Sequence, residues 1–359
     1  MVEVAGTACQ NERGPPGKVP SLMTLPLSIL DQSPIIGTAT PAEAIQRTIE
    51  LARMADRLGY HRYWLAEHHA LNGLADASPE ILLARLGAET KHIRLGTGGI
   101  MLPYYAPFKI AEQFKMLEAM YPGRMDLGLG RAPGGHPRTA RVLFDGRPID
   151  TDEGFANQLA ELSAMFRGVV PENHPLHGQM LSPNVATYPE MWVLGSSTGG
   201  ASFAASLGMP FAFAHFINAY TGANVAHAYR AQFKAWHGDT PRVALAMLAI
   251  VSDDEAEAKA IEKAVLMRWA LTALGANRTV PTIEEAAAYE FSPREQQIVA
   301  HDRPRLTIGN ATSVAARIRE LAAQFTADEV ILVAVAPSYE VRIRTFERLA
   351  AEFALKPRE

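Results

Sequence analysis

Eight short apolar runs, each followed by a polar or glycine-rich break and then an amphipathic helix, predict an α/β chain folded as a (β/α)8 TIM barrel with insertions at the C-terminal face of the strands. The runs are mostly continuous rather than alternating, as expected for parallel strands covered on both faces. An open doubly wound sheet is the alternative. The eightfold count and the lack of a G-x-G-x-x-G turn after the first strand weigh against it.

In chain order the strands are expected at 26–33 (PLSILDQS), 60–69 (YHRYWLAEHH), 93–102 (IRLGTGGIML), 124–132 (RMDLGLGRA), 190–197 (EMWVLGSS), 210–216 (PFAFAHF), 242–252 (RVALAMLAIVS) and 328–336 (DEVILVAVA). Helices fall between them at the 3.6-residue period. In 42–58, Ile45, Ile49, Ala52, Ala55 and Leu58 share a face, and Gly59 supplies the stop. In 312–325 the stripe is Val314, Ile318, Leu321 and Phe325, with Thr312 as the expected N-cap. In 340–354 it is Phe346, Leu349, Ala350 and Phe353, and each stripe reads as core. Residues 25–355 form a single barrel domain on this reading. Two stretches exceed the repeat: 168–189, with four prolines and two histidines, and 254–305, helical at first and then irregular. Both are expected to fold over the barrel mouth. Residues 1–24, rich in Gly and Pro, read as a disordered extension without the apolar middle of a secretory signal.

Composition narrows the function. The 359 residues are 48% hydrophobic and 20% charged with a net charge of −4, and the basic residues are dispersed, so nucleic acid is not an expected partner. The longest apolar runs, such as 243–251, are too short for a bilayer. The single cysteine, Cys9, excludes an intrachain disulfide framework. A cytoplasmic protein fits best.

Chemistry in such a barrel gathers where strands end. Those ends carry Asp31-Gln32-Ser33, Glu67-His68-His69, Thr97-Gly98-Gly99, Gly130-Arg131, Gly195-Ser196-Ser197-Thr198 and His215, while the strand interiors read as almost free of polar groups. Adjacent histidines on a strand face opposite ways, and the first strand closes with Asp-Gln-Ser rather than His-x-His, so a metal site is not expected. One histidine is expected to serve as an acid/base or as a hydrogen-bond donor to a bound cofactor; the alternative is purely structural, one imidazole hydrogen-bonded and the other exposed. In GSSTGGASFAASLG (195–208) a strand runs into a helix through Ser196, Ser197, Thr198 and Gly199. That is either a plain N-cap or, with Arg131 on the same rim, a phosphate cradle of hydroxyls and helix N–H groups. Arg138 and Arg141, in the adjoining loop, read as surface charge. The glycines of GTGGIMLPYYAP (96–107) signal either a bulge or the close approach of a flat ligand.

The ordered set LSILDQSP, WLAEHH, RLGTGGIMLPYYAP, MYPGRMDLGLGRAPGG and VLGSSTGGASFAASLG resembles the bacterial luciferase-like flavin monooxygenase family, over residues 25 to 350. The resemblance implies a TIM barrel that binds reduced FMN at the strand C-termini and reacts it with dioxygen. It makes His68 the catalytic acid/base candidate, preceded by Glu67, and gives Gly98-Gly99 a cis peptide under the flavin ring. Arg131 and Ser196, with the backbone around Thr198 and Gly199, then hold the phosphate. Gly130 and Gly195 stand where luciferase has a cysteine and an acid, so light emission is not implied.

The expected function is thus an FMN-dependent monooxygenase acting on a small organic substrate, supplied with reduced flavin by a separate reductase, and a homodimer by family. A deazaflavin-dependent dehydrogenase of the wider family, a noncatalytic flavin-binding protein and a metal hydrolase are the rival readings.

Overall fold

The computed structural model describes residues 25–131, 134–145, 152–236 and 238–358. The expected N-terminal extension, and Ala132 at the end of the fourth predicted strand, lie outside these residues.

All eight predicted strands are present: β1 (Leu27–Asp31), β2 (Arg62–Leu65), β3 (Arg94–Met101), β4 (Met125–Gly130), β5 (Glu190–Gly195), β6 (Phe211–Ala214), β7 (Val243–Val251) and, last in the chain, β9 (Glu329–Val333). Each pairs in parallel with the next, and β9 pairs with β1, so the sheet closes into a barrel. A further strand, β8 (Leu306–Gly309), stands outside this ring against the C-terminal half of β7, whose N-terminal half pairs with β9. Four residues long and ended by Gly309, β8 gave too short an apolar run to read from sequence.

The wall helices are α1 (Pro41–Leu58), α2 (Pro79–Glu89), α3 (Pro107–Met120), α4 (Pro137–Leu143), α5 (Asp152–Arg167), α6 (Thr198–Ser206) and α7 (Gly222–Gln232). After β7 come α8 (Glu255–Ala273), α9 (Ile283–Ala287), α10 (Pro293–Asp302), α11 (Ala311–Gln324) and, after β9, α12 (Tyr339–Glu352). α1 starts at a Thr40/Glu43 capping box and stops at Gly59 in the left-handed region (φ 88°), as its pattern predicts. α11 starts two residues earlier than expected. Asn310, not Thr312, is its N-cap, accepting the Ser313 N–H (2.9 Å). The predicted stripe Val314, Ile318, Leu321 and Phe325 is buried. Among the described residues no helix is long and apolar enough to cross a membrane.

The barrel interior has two levels. Its middle is an apolar plug of Leu30, Trp64, Trp192, Ala212, Ala246 and Ile331, with the two indoles edge to face at 5.5 Å. Beneath it, at the N-terminal ends of the strands, sits a charged layer that corrects the expectation of polar-free interiors. Buried Arg62 donates to Glu329 (2.9 Å), Asp126 (2.9 Å) and Glu190 (2.7 Å), and lies over the Trp192 ring. Arg94 adds to Asp126, Arg242 to Glu190, and Ser28 to Glu329. Burial alone would depress the Arg62 guanidinium, but Asp126, Glu329 and Glu190 outweigh it and hold its pKa well above the usual value. Glu190 is held down at about 2: Arg62 and Arg242 overcome the opposing effect of burial. In the sequence these charges are isolated single letters at strand starts, so only the closure of the ring reveals that they meet.

The two long insertions part company. Residues 168–189 join the end of α5 to the start of β5, which puts them at the N-terminal end of the barrel and not over its mouth. Lys115 of α3 holds them through the Val185 and Thr187 carbonyls (2.8 and 2.9 Å), and Tyr188 stacks on Phe166. Residues 254–305 do cap the mouth, and they are not irregular. α9 and α10 each begin with a capping box, Thr282/Glu285 and Ser292/Glu295, a signal present in the sequence. The cap reaches the loop after β1 through Val280, which exchanges backbone bonds with Ile35 and Gly37 (both 2.8 Å). It reaches the loop after β2 through Asn277 on Asn72 (2.7 Å), and the loop after β6 through Tyr220 on the His301 carbonyl (2.6 Å).

Candidate functional site

β2 stops at Leu65, so Ala66 to His69 leave the pleat and the rule sending neighbours to opposite faces no longer applies. Glu67 is fully buried and meets three partners. Its Oε2 accepts the Met101 N–H (2.8 Å), and its Oε1 accepts the Tyr105 hydroxyl (2.6 Å) and meets His69 Nε2 (2.6 Å). The histidine on Glu67 is thus His69, while His68 stands apart. The half-buried His68 ring keeps a shielded Nδ1 without a partner among the described residues. Burial, reinforced by the nearby Arg268 charge, holds its pKa down at about 4, so it is neutral at pH 7.

The same segment is clamped to the loop after β4. His69 N–H donates to the Gly134 carbonyl (3.0 Å), and His69 bridges Gly135 in parallel. Gly134 has φ +58°, and a Cβ there would sit 3.1 Å from the Glu67 carbonyl oxygen; a Cβ on Gly135 would sit 2.6 Å from that of His69. The Gly-Gly of this loop is therefore what lets it approach the acid-imidazole segment.

Arg131, at the mouth of β4, reaches the start of α6. A Cβ on Gly199 would meet only Arg131 Nη1 (3.9 Å) and Ser197 Oγ (4.0 Å), so these groups border open space at the helix N-terminus. Ser197 is the N-cap, yet its hydroxyl makes no cap bond, which leaves first-turn N–H groups beside Thr198 and Gly199 without an internal partner. Arg131 is partnered by Asp152 of α5. Asn218, from the loop after β6, fixes the Ser196 carbonyl (3.0 Å). His68, Arg131 and Ser196–Gly199 thus share one rim.

Gly98 and Gly99 are joined by a cis peptide, and the register with β4 shifts between Gly98 and Ile100. A Cβ on Gly98 would meet Leu30 at 2.6 Å, and one on Gly99 would meet the Gly128 carbonyl and Leu194 at 2.5 Å. Packing against the barrel's own plug accounts for glycine at both positions, and the irregularity is a bulge.

Other strand-end groups serve the scaffold. Asp31 accepts from Ser33 N–H (2.8 Å), Thr48 (2.9 Å), Tyr63 (2.6 Å) and Arg342 (2.5 Å), tying β1 to α1 and α12. Thr97 donates to Gly128 (2.9 Å). Buried His215, just past the end of β6, packs edge-on to Phe325 at the C-cap of α11. Arg138 and Arg141 lie exposed on α4, a short helix where a loop was expected. Among the described residues no group of three His, Cys, Asp or Glu is placed to hold a metal ion.

Sequence reasoning missed three residues here, Tyr105, Asp76 and Arg268, and did not foresee that His69 is the imidazole on Glu67. Asp76 carries the carbonyl that accepts His68 N–H (3.0 Å). Burial, with Asp31, Glu80 and Glu67 near, pushes its carboxyl up to about 7 against the one lowering contact from Ser78, and its Oδ2 has no partner among the described residues. Nothing in LADASPE marks it. Arg268 was visible as a single cation inside the apolar run AVLMRWAL.

A family model for luciferase-like monooxygenases matches residues 25–329. The N-acetyl-S-alkylcysteine monooxygenase of Bacillus subtilis is 34% identical over 313 residues, 85% of this chain and 91% of that protein. The oxygenase component of the flavin-dependent trigonelline monooxygenase of Acinetobacter baylyi is 39% identical over 92 residues, 26% of each chain. The crystal structure of apo-MsnO8 superposes with a TM-score of 0.85 at 34% identity, covering 94% of this chain and all of that one. The chain belongs to the luciferase-like monooxygenase family.

Proposed function

We propose that this protein is an FMN-dependent monooxygenase that takes reduced flavin from a separate reductase and oxidises a small organic substrate with dioxygen. The observation that carries the reading is the convergence on one rim of Arg131, the Ser197 hydroxyl and the open α6 N-terminus with the buried Glu67–His69 segment and the neutral imidazole of His68. A hollow bordered by a guanidinium, an unspent hydroxyl and helix N–H groups suits a phosphate monoester. Ser196, Ser197, Thr198, Gly199 and Arg131 are assigned to it, and the backbone of Gly98-Gly99 to the floor beneath the ring. Bound reduced flavin supplies the electrons that activate dioxygen.

The protein's own groups orient and manage protons. A neutral His68 accepts a proton rather than donating one at pH 7, and its orphan Nδ1 leaves an imidazole nitrogen for that task. Glu67 holds His69, Tyr105 and the end of β3 in fixed relation. The cap of α8 to α10 excludes water. The relatives' printed names, a flavin-dependent oxygenase component and a monooxygenase of N-acetyl-S-alkylcysteines, support the flavin, the separate reductase and the choice of first substrates to try. We assign the protein to the cytoplasm as a homodimer through α2 and α3, where Ile81 (70% exposed), Met116 (52%) and Met120 (45%) leave apolar surface uncovered.

Anaerobic titration with reduced FMN, followed by rapid mixing with oxygenated buffer, tests the reading. Binding tighter than about 1 mM, with oxygen consumed and a trial substrate oxygenated, is expected. Binding of reduced deazaflavin in place of FMN, without oxygen consumption, contradicts it.

A further inference from the structure

The insertion 168–189 takes no part in the mouth, yet its last residues, Tyr188 and Pro189, line a cavity of about 640 Å³ at the opposite end of the barrel. The space opens among the connections that enter β4, β5, β6 and β7. Between it and the mouth stand the Arg62 layer and the apolar plug. Clefts of this size take small organic molecules. Its walls are fixed by packing. A Cβ on Gly208 (φ +62°) would sit 2.6 Å from the Lys234 carbonyl oxygen and 3.1 Å from the Trp236 backbone nitrogen, so glycine there lets the segment after α7 close against the end of α6. Tyr188 stacks on Phe166 (5.9 Å, 20° between planes) with 47% of its surface exposed.

The charges that line this space are unequally spent. Both Glu118 oxygens take backbone N–H groups, those of Gly123 (2.9 Å) and Met125 (3.2 Å), and Glu190 serves Arg62, Arg242 and Trp192. Arg94 is taken up by Asp126 and by the Gly123 and Met125 carbonyls. Arg167 differs. Its guanidinium covers the Trp236 ring at 4.6 Å and makes one long hydrogen bond, to the Leu207 carbonyl (3.3 Å). Its other N–H groups stay accessible, since none is a shielded atom lacking a partner. Arg242, bonded to Glu190 through one nitrogen, keeps others accessible in the same way. Exposed Asp239 acts on Arg167 by its charge, but no ion pair joins the two among the described residues. With three arginines and three acids in the described lining, a multiply charged guest is not matched. Two accessible guanidiniums beside aromatic rings suit one negative charge on a flat body.

We infer that this cavity is a second binding site, for a flat aromatic molecule carrying a single carboxylate. Arg167 takes the carboxylate, whose two oxygens fit the planar fork of a guanidinium, and Tyr188 offers the ring a partly exposed aromatic surface. The guest is an effector rather than a substrate, because the plug separates it from the mouth. It joins the end of α5, the entry to β5 and the segment after α7, and so stabilises the folded chain. The assignment stands apart from the flavin reading.

The test titrates 2-naphthoate, and the neutral 2-naphthylmethanol, into the full-length protein, reading affinity by calorimetry and location by backbone amide NMR shifts. Naphthoate is expected to bind with a Kd below about 1 mM, at least about 10-fold more tightly than the alcohol. It is expected to shift the Gly123, Gly208 and Gly238 amides and to leave those of Gly98, Gly99 and Gly134, at the mouth, unmoved. Arg167→Met removes the preference for the acid and Arg167→Lys keeps part of it. Tyr188→Ala weakens acid and alcohol alike, by about 5-fold. Equal affinity for acid and alcohol, a preference that survives Arg167→Met, or binding of neither below about 10 mM overturns the inference. So do shifts confined to the mouth glycines, which assign naphthoate to the other end of the barrel. The wild-type shifts and the comparison of acid with alcohol decide the matter even where a variant fails to fold.

Discussion

At the N-terminal end of the barrel Arg62 meets three carboxylates, and two of these are shared with Arg94 and Arg242. At the C-terminal end His68, Asp76 and Glu80 each keep a shielded polar atom without a partner among the described residues. Both ends bury charge. One completes its network within the chain, which is how buried ions are tolerated in a scaffold. The other leaves it incomplete, with an imidazole held near 4 and a carboxyl near 7, the perturbation expected where groups serve a reaction.

The contrast breaks first at Arg62. Arg62→Met leaves Glu329 without a cation and takes one of two cations from each of Asp126 and Glu190 beneath the plug, and a loss of about 3–5 kcal/mol in urea-unfolding stability is expected. A loss under about 1 kcal/mol makes the lower layer ornamental. At the upper end the sign of the trade reverses. His68→Asn is expected to lower turnover by about 10²–10⁴-fold while leaving the unfolding midpoint nearly unchanged, because no bond to its Nδ1 is lost. Full activity in this variant removes His68 from the chemistry. Glu67→Gln falls between the two cases, weakening both stability and turnover through its three partners.

A smaller effect sharpens the comparison through pH. The folded pKa of Asp76, about 7, lies above its ordinary 3.8, so between those values the folded chain keeps a proton that the unfolded chain has released. Stability at this site is therefore lost as pH rises through that window. Asp76→Asn carries no such loss and is expected to gain on the wild type, by about 1–3 kcal/mol, from pH 5 to pH 8. Parallel stability profiles for the two proteins would show Asp76 to be an ordinary surface acid.

Much of the frame was legible because period and punctuation are local. The eight barrel strands, the α1 stop at Gly59 and the stripe of α11 each follow from neighbours within a few letters. Errors arose where the deciding contact is distant or a signal was passed over. Thr312 yielded to Asn310 although both are good caps, since only the chain entering from β8 fixes which one turns first. Residues 168–189 read as following a strand unit's C-terminal end, but they run from α5 to β5, and chain direction puts any segment between a helix and the next strand at the opposite end from the mouth. The capping boxes at Thr282 and Ser292 were readable and would have revealed α9 and α10. At the site, residue types announced Glu67, His68, Arg131 and the serines. The pairing of Glu67 with His69 depends on three-dimensional neighbours that no spacing encodes.

The central claim is that the rim at Arg131 and the α6 N-terminus receives the phosphate of a flavin nucleotide. Equilibrium titration of the wild-type protein with FMN and with riboflavin isolates that one group. FMN binding at least about 100-fold more tightly than riboflavin, with most of the gap removed by Arg131→Met, is the predicted result. Equal affinity for the two, or a gap that survives loss of Arg131, would contradict it.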